Sequence, residues 1–194
     1  MFNSIYIFVP MLSKNELLKQ IESTIGKPKV LELTALMRQH SFPLPNLVDL
    51  TFHPDKNMGF RASWLLENVL LANADGFIDD LPYLIQHFPE VNNPSSQRHY
   101  ANIMIRLTSP KATTAVKEKV ADIDMECVVE KLFDWLIDPK VLVAVKCSAG
   151  EALLHLSKRY DWIAGELSNQ MKFLMKNGTA AIQARGKMIL KKLK

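Results

Sequence analysis

The sequence predicts an all-α protein, a single right-handed α-α superhelix of about five helical pairs, and three observations predict it. Apolar residues recur at helical spacing along nearly the whole of the 194 residues. No stretch alternates apolar and polar residues between hairpin turns, so no sheet is expected. Chain breakers leave about ten short helices, and similar turn-to-helix segments recur roughly every forty residues, the period of two-helix repeats.

The first pair is expected at 12–25 and 29–40. There Leu17, Leu18, Ile21 and Ile25, then Leu33, Leu36 and Met37, are separated by Gly26-Lys27-Pro28. Pro43-Leu44-Pro45 precedes the second pair, 45–53 with 57–72, which turns at His53-Pro54-Asp55. The third, 77–89 with 94–108, follows Asp75-Gly76, aligns Leu81, Leu84, Ile85 and Phe88 on one face, and turns at Asn92-Asn93-Pro94. Val128, Val129, Leu132, Phe133 and Leu136 mark the fourth, 123–137 with 140–158, which turns at Asp138-Pro139. The fifth, 162–176 with 179–193, turns at Asn177-Gly178 and carries Ile182, Ile189, Leu190 and Leu193. Asp161 reads as the N-cap of the helix that starts at Trp162. Each pair leaves an apolar stripe that only its neighbours can cover, so 12–194 are expected to fold as one repeat domain. Residues 1–11 read as an N-terminal extension, with Met11 as the initiator, because the apolar first ten residues lack a basic flank and are too short to span a bilayer.

Composition narrows the function. Hydrophobic residues make up 48% and charged residues 23%, an ordinary globular balance. No two of the seven glycines lie closer than eight residues apart, which excludes dinucleotide fingerprints, P-loops and nucleophile elbows, since each needs paired glycines at a tight turn. Cys127 and Cys147 form neither a metal or redox pair nor a disulfide framework, and a reduced cytoplasmic protein is expected. The histidines at 40, 53, 87, 99 and 155 make no metal-ligand spacing on one helix face, so no metal and no cofactor are expected. His40 and His53 read as helix-end residues, His99 and His155 as surface or half-buried ones, and Trp64 and Trp135 as core. With no nucleophile–base pair, metal cluster or phosphate loop, the chain is expected to be non-enzymatic.

There are 24 basic and 20 acidic residues. From Met171 to Lys194 there are seven Lys or Arg and no Asp or Glu, so the net positive charge reads as a property of the last helix, where lysines offset the helix dipole. The connectors also share a pattern. Asp55, Asn92, Asp138 and Asn177 each stand six or eight positions before a basic residue, respectively Arg61, Arg98, Lys146 and Arg185, and these lie 37, 48 and 39 apart. Stacked repeats superpose equivalent positions, so the four cations are expected to form a column. Asp55, Arg61 and Asp138 read as a structural ladder, with Arg61 turned toward Asp55 or a neighbouring turn carbonyl. Arg98, Lys146 and Arg185 are the candidate binding residues.

At these residues the chain resembles the HEAT and armadillo class of α-solenoids, whose repeats place an Asp in the turn and an Arg early in the second helix. Phe133-Asp-Trp-Leu-Ile137, Tyr160-Asp-Trp-Ile163 and Ala184-Arg-Gly-Lys-Met-Ile-Leu-Lys-Lys192 are similar to a small family of bacterial HEAT-like proteins that carry the label adenylosuccinate lyase. Lyases of that superfamily are much longer and use a flexible Ser-rich loop, whereas the one Ser-Ser pair here is Ser95-Ser96 in a different context. The resemblance therefore implies a monomeric binding or scaffold module that presents a concave helical surface to a protein partner, away from membranes. Carboxylates and tryptophans beside basic residues are also similar to HEAT-like alkylpurine DNA glycosylases, which implies nucleic-acid binding as the alternative.

Overall fold

The computed structural model describes residues 13–22, 26–39 and 42–194. The expected extension 1–11, together with Ile25 and His40, lies outside the described residues. All regular structure among them is helical: α1 Lys14–Glu22, α2 Lys27–Gln39, α3 Leu44–Thr51, α4 Lys56–Asn73, α5 Leu81–His87, α6 Pro94–Leu107, α7 Thr114–Asp122, α8 Glu126–Ile137, α9 Val143–Leu156, α10 Asp161–Met175 and α11 Ala180–Lys192. Two 3₁₀ turns, Asp75–Asp80 and Phe88–Glu90, flank α5.

The polar turn residues end up as caps. Asp55 Oδ1 accepts from the Asn57 N–H at 2.8 Å to start α4, and Asn93 Oδ1 accepts from the Ser95 N–H at 3.1 Å to start α6. The Asn93 amide also donates to the Lys56 carbonyl at 2.9 Å, joining the starts of the two helices. Asp138 Oδ1 accepts from the Lys140 N–H at 2.8 Å and holds the turn before α9. Thr179, just after the Asn177-Gly178 turn, caps α11. One expectation is corrected: Asp161 is the first residue of α10, after a Tyr160 cap that supplies no side-chain bond.

Two further differences have local causes. The expected helix 77–89 is broken because Pro82 and Pro89 lack an N–H, and Phe77 sits at a non-helical φ of −130°. The sequence reading leaves 109–122 unassigned, yet α7 forms there. Thr113 caps it, accepting from the Val116 N–H at 3.3 Å and donating to Asp75 at 2.6 Å, and Val116 and Val120 are its only buried residues. Two valines and two alanines in nine residues are too weak a stripe for periodicity to register.

Helix α2 packs on α4, α4 on α6, α6 on α9 and α9 on α11, so these five form a ladder. Helices α1, α3, α5, α8 and α10 flank it, with α3 on α4, α8 on α9, and α10 on α9 and α11. The approach is close: a Cβ at Gly59 would lie 2.7 Å from the Thr51 carbonyl oxygen, and one at Gly150 would lie 3.0 Å from Ile189 Cδ1. At the centre Tyr100 is fully buried. Its ring lies edge-on to Phe88 at 5.9 Å, and Phe88 lies 5.1 Å from Trp135, one aromatic line through α6 and α8. Thr51 Oγ1 donates to the Val48 carbonyl, so the Tyr100 hydroxyl, 2.6 Å away, donates to Thr51. Arg61 reaches back to α1, where its Nη1 donates to the carbonyls of Glu22 at 2.9 Å and Ile21 at 3.3 Å. A cation is well placed at a helix end whose last carbonyls lack partners.

The same substitution is expected to act with opposite sign at two glycines. Gly59→Ala forces α3 and α4 apart and is expected to lower unfolding free energy by about 1–3 kcal/mol. Gly165, exposed in α10 with nothing within 4 Å of a built Cβ, is expected to gain about 0.5–1 kcal/mol as Ala. Urea unfolding of the two variants checks both.

Candidate functional site

Charge is divided between the two sets of helices. In the ladder, α4, α6, α9 and α11 hold nine Lys or Arg and two Glu. On the flanks, α3, α5, α8, α10 and the two 3₁₀ turns hold ten Asp or Glu and two Lys. The last helix holds four of these nine cations, and the excess of cations over carboxylates extends to α4, α6 and α9 taken together, while the flank is acidic.

Both glutamates of these four helices are engaged. Glu67 Oε1 accepts from the Asn102 amide at 2.8 Å, and Oε2 bonds His99 Nδ1. Ser148 Oγ donates to Asn102 Oδ1 at 2.9 Å, and Glu151 holds the Arg185 guanidinium. A chain of polar contacts therefore crosses α4, α6 and α9, and an ion pair continues from α9 to α11. Ser148 and His99 are each bonded elsewhere in this chain and not to one another, so they make no nucleophile–base pair. The His99 ring also lies 5.4 Å from Phe60, which stacks on Trp64 at 6.2 Å.

Three hollows open along this face. Glu67, Leu71, Asn102, Ile105 and Arg106 line one of about 340 Å³. Ile105 and Ser109 extend into a second of about 670 Å³, with Lys111, Glu151, His155, Lys158 and Lys192. The third, about 610 Å³, lies between Arg98, Ala144, Cys147, Ser148, Ala184, Arg185 and Met188. Shared residues and the Glu151–Arg185 pair make these one continuous surface. Burial pushes the His155 imidazole below its ordinary value, Glu151 acts the other way, and Lys192 and Lys158 lower it further.

The predicted column is only partly assembled. Arg98 is exposed, without a hydrogen-bond or ion-pair partner among the described residues, and shares the third hollow with Arg185. Lys146 is 7% exposed and lines none of the three hollows. Burial lowers its pKa while Asp138 pulls it upward, yet no Lys146–Asp138 ion pair forms within 4 Å. Arg61 is committed to α1, and Asp55 to capping α4.

Sequence reasoning missed Glu67, Asn102, Ser148 and Glu151. The available signal was their spacing, since the linked pairs lie 35, 46 and 34 residues apart, close to the separations of the basic column. Among the described residues no group of three or more His, Cys, Asp or Glu converges in a way that holds a metal. No helix among them is long and apolar enough to cross a membrane.

Two outcomes follow from the site's electrostatics. Glu67→Ala leaves both His99 and Asn102 without their acceptor and is expected to lower stability by about 2–3 kcal/mol, with Glu67→Gln costing less. Because folding lowers the His155 pKa, its contribution is fully present above the unfolded value of about 6.5 and is lost as pH falls through the folded value. The melting temperature is therefore expected to fall on acidification below about pH 6.5, and less steeply in His155→Gln. Thermal melts across that range check it.

Compared with known protein families, with curated proteins and with solved structures, the chain matches none of them.

Proposed function

We propose that this chain is a non-enzymatic binding module that receives a protein partner on the ladder face. On this reading it is a cytoplasmic monomer, and its helices form a right-handed HEAT-like solenoid of five pairs with α7 as an insertion. The succession of ladder contacts from α2 to α11 supports the repeat arrangement. One observation carries the function: a surface continuous over four helices whose own carboxylates are already occupied, leaving cations and apolar side chains such as Leu71, 44% exposed, for another molecule. A surface of this length suits an extended polypeptide better than a small ligand, which binds in one deep cavity.

Nine cations against two carboxylates on α4, α6, α9 and α11 also favour a second reading, nucleic-acid binding. The tryptophans argue for protein. Stacking platforms for bases belong beside the cations, whereas Trp162, 55% exposed, stands on the acidic flank and stacks on Phe133 at 5.6 Å. Trp64 is half-buried and stacked on Phe60, and Trp135 lies in the core.

A photoreactive amino acid at Leu71 is expected to form adducts with a protein partner, and the same group at Trp162 is not. Equal adducts at both positions, or adducts at Trp162 alone, would sink the reading. In gel shifts, little duplex DNA is expected to bind at physiological salt. Tight binding that falls steeply with salt and weakens in Arg98→Ala would replace protein with nucleic acid as the ligand.

A further inference from the structure

We infer that the hollow between α6, α9 and α11 anchors an acidic side chain from an extended segment of the partner, with Arg98 as the cation that receives its carboxylate; this rests on reading the ladder face as the partner surface. Neither α6 nor α11 contains an Asp or Glu, so Arg98 has no carboxylate on its own helix or on the opposite wall. On the far side Glu151 already holds Arg185 in a half-buried pair, their side chains 25% and 30% exposed. That pair keeps the second guanidinium in the hollow rather than in solvent, so an incoming carboxylate meets one open cation and one fixed in place. The floor is small and apolar, with Ala144, Ala184 and Met188 among its residues. Short side chains there let a peptide backbone and its methylene groups come close, a surface that a phosphodiester with its hydration shell would not use. The acidic flank repels the same segment, so the charge division of the fold directs it to this side.

The two cysteines make the inference testable. Cys147 lines the hollow, while Cys127 stands on α8 with its thiol 4.0 Å from the Ile85 carbonyl. Alkylation of both by iodoacetamide can be followed by mass spectrometry with and without poly-L-glutamate, whose binding is read separately by fluorescence anisotropy. The expected result is that poly-L-glutamate slows Cys147 by about threefold or more and leaves Cys127 unchanged. Arg98→Glu, an exposed substitution, is expected to abolish the protection, and Glu151→Gln, which releases Arg185 to the ligand, to strengthen it. If poly-L-glutamate binds but slows both thiols or neither, the subsite is overturned while the partner surface stands on the Leu71 adducts. If poly-L-glutamate does not bind at all, the acidic partner is overturned, and those adducts still decide the broader reading. If a single-stranded oligonucleotide of equal charge protects Cys147 better at about 0.15 M salt, the peptide is overturned in favour of nucleic acid.

Discussion

Close contact between successive ladder helices is the constraint on which the other features depend. Helices that pack on neighbours at both sides, and on a flanking helix behind, keep one narrow stripe open. On α9 this leaves Val145, Ala149, Ala152, Leu153 and Leu156 buried, with Ala144, Cys147, Glu151 and His155 along the remaining stripe. Close packing here requires small residues: Gly150 against Ile189 of the next ladder helix and Met171 of the flank, and Gly59 against the backbone of the flanking α3. Larger side chains at these points would separate the helices and leave the apolar positions on either side incompletely covered.

The same geometry explains the polar chain. With helices this close, side chains on adjacent stripes meet directly, so a carboxylate on one ladder helix finds its partner on the next rather than in water. Glu67 meets His99 and Asn102, and Glu151 meets Arg185. Half-buried groups of this kind must be bonded, because an unpaired one carries the full cost of its desolvation. The cations are under no such pressure where their long stems carry the charge outward, as with Arg98 and Lys158. A face that consumes its own anions and leaves cations exposed is the result, and it faces away from helices rich in Asp and Glu.

Much of the helical content was legible because apolar spacing and turn residues are local signals. Boundaries near Asp55, Asn93 and Asp138 follow from side chains bonding the backbone two residues on. Where the local signal was weak, the reading failed: α7 has two buried positions, and the break around α5 comes from prolines inside a stretch whose apolar pattern alone suggests continuity. The candidate site was less legible. The repeat spacing pointed to Arg98 and Arg185, which do share a hollow, yet it pointed equally to Lys146 and Arg61, which do not line it.

Apart from α7 and the break around α5, the sequence by itself determined where the chain turns, which stretches are helical and which residues are apolar enough to be covered, since each depends on neighbours a few positions away. Only the tertiary structure decided which cation is open to solvent and which is occupied. Arg61, Arg98, Lys146 and Arg185 occupy similar places in their segments, but α1 offers carbonyls to the first, nothing among the described residues pairs with the second, the core closes over the third and Glu151 takes the fourth. The physical reason is that a side chain's partner is set by the helix packed beside it, some forty residues away in sequence, and that helix differs at every step of the ladder.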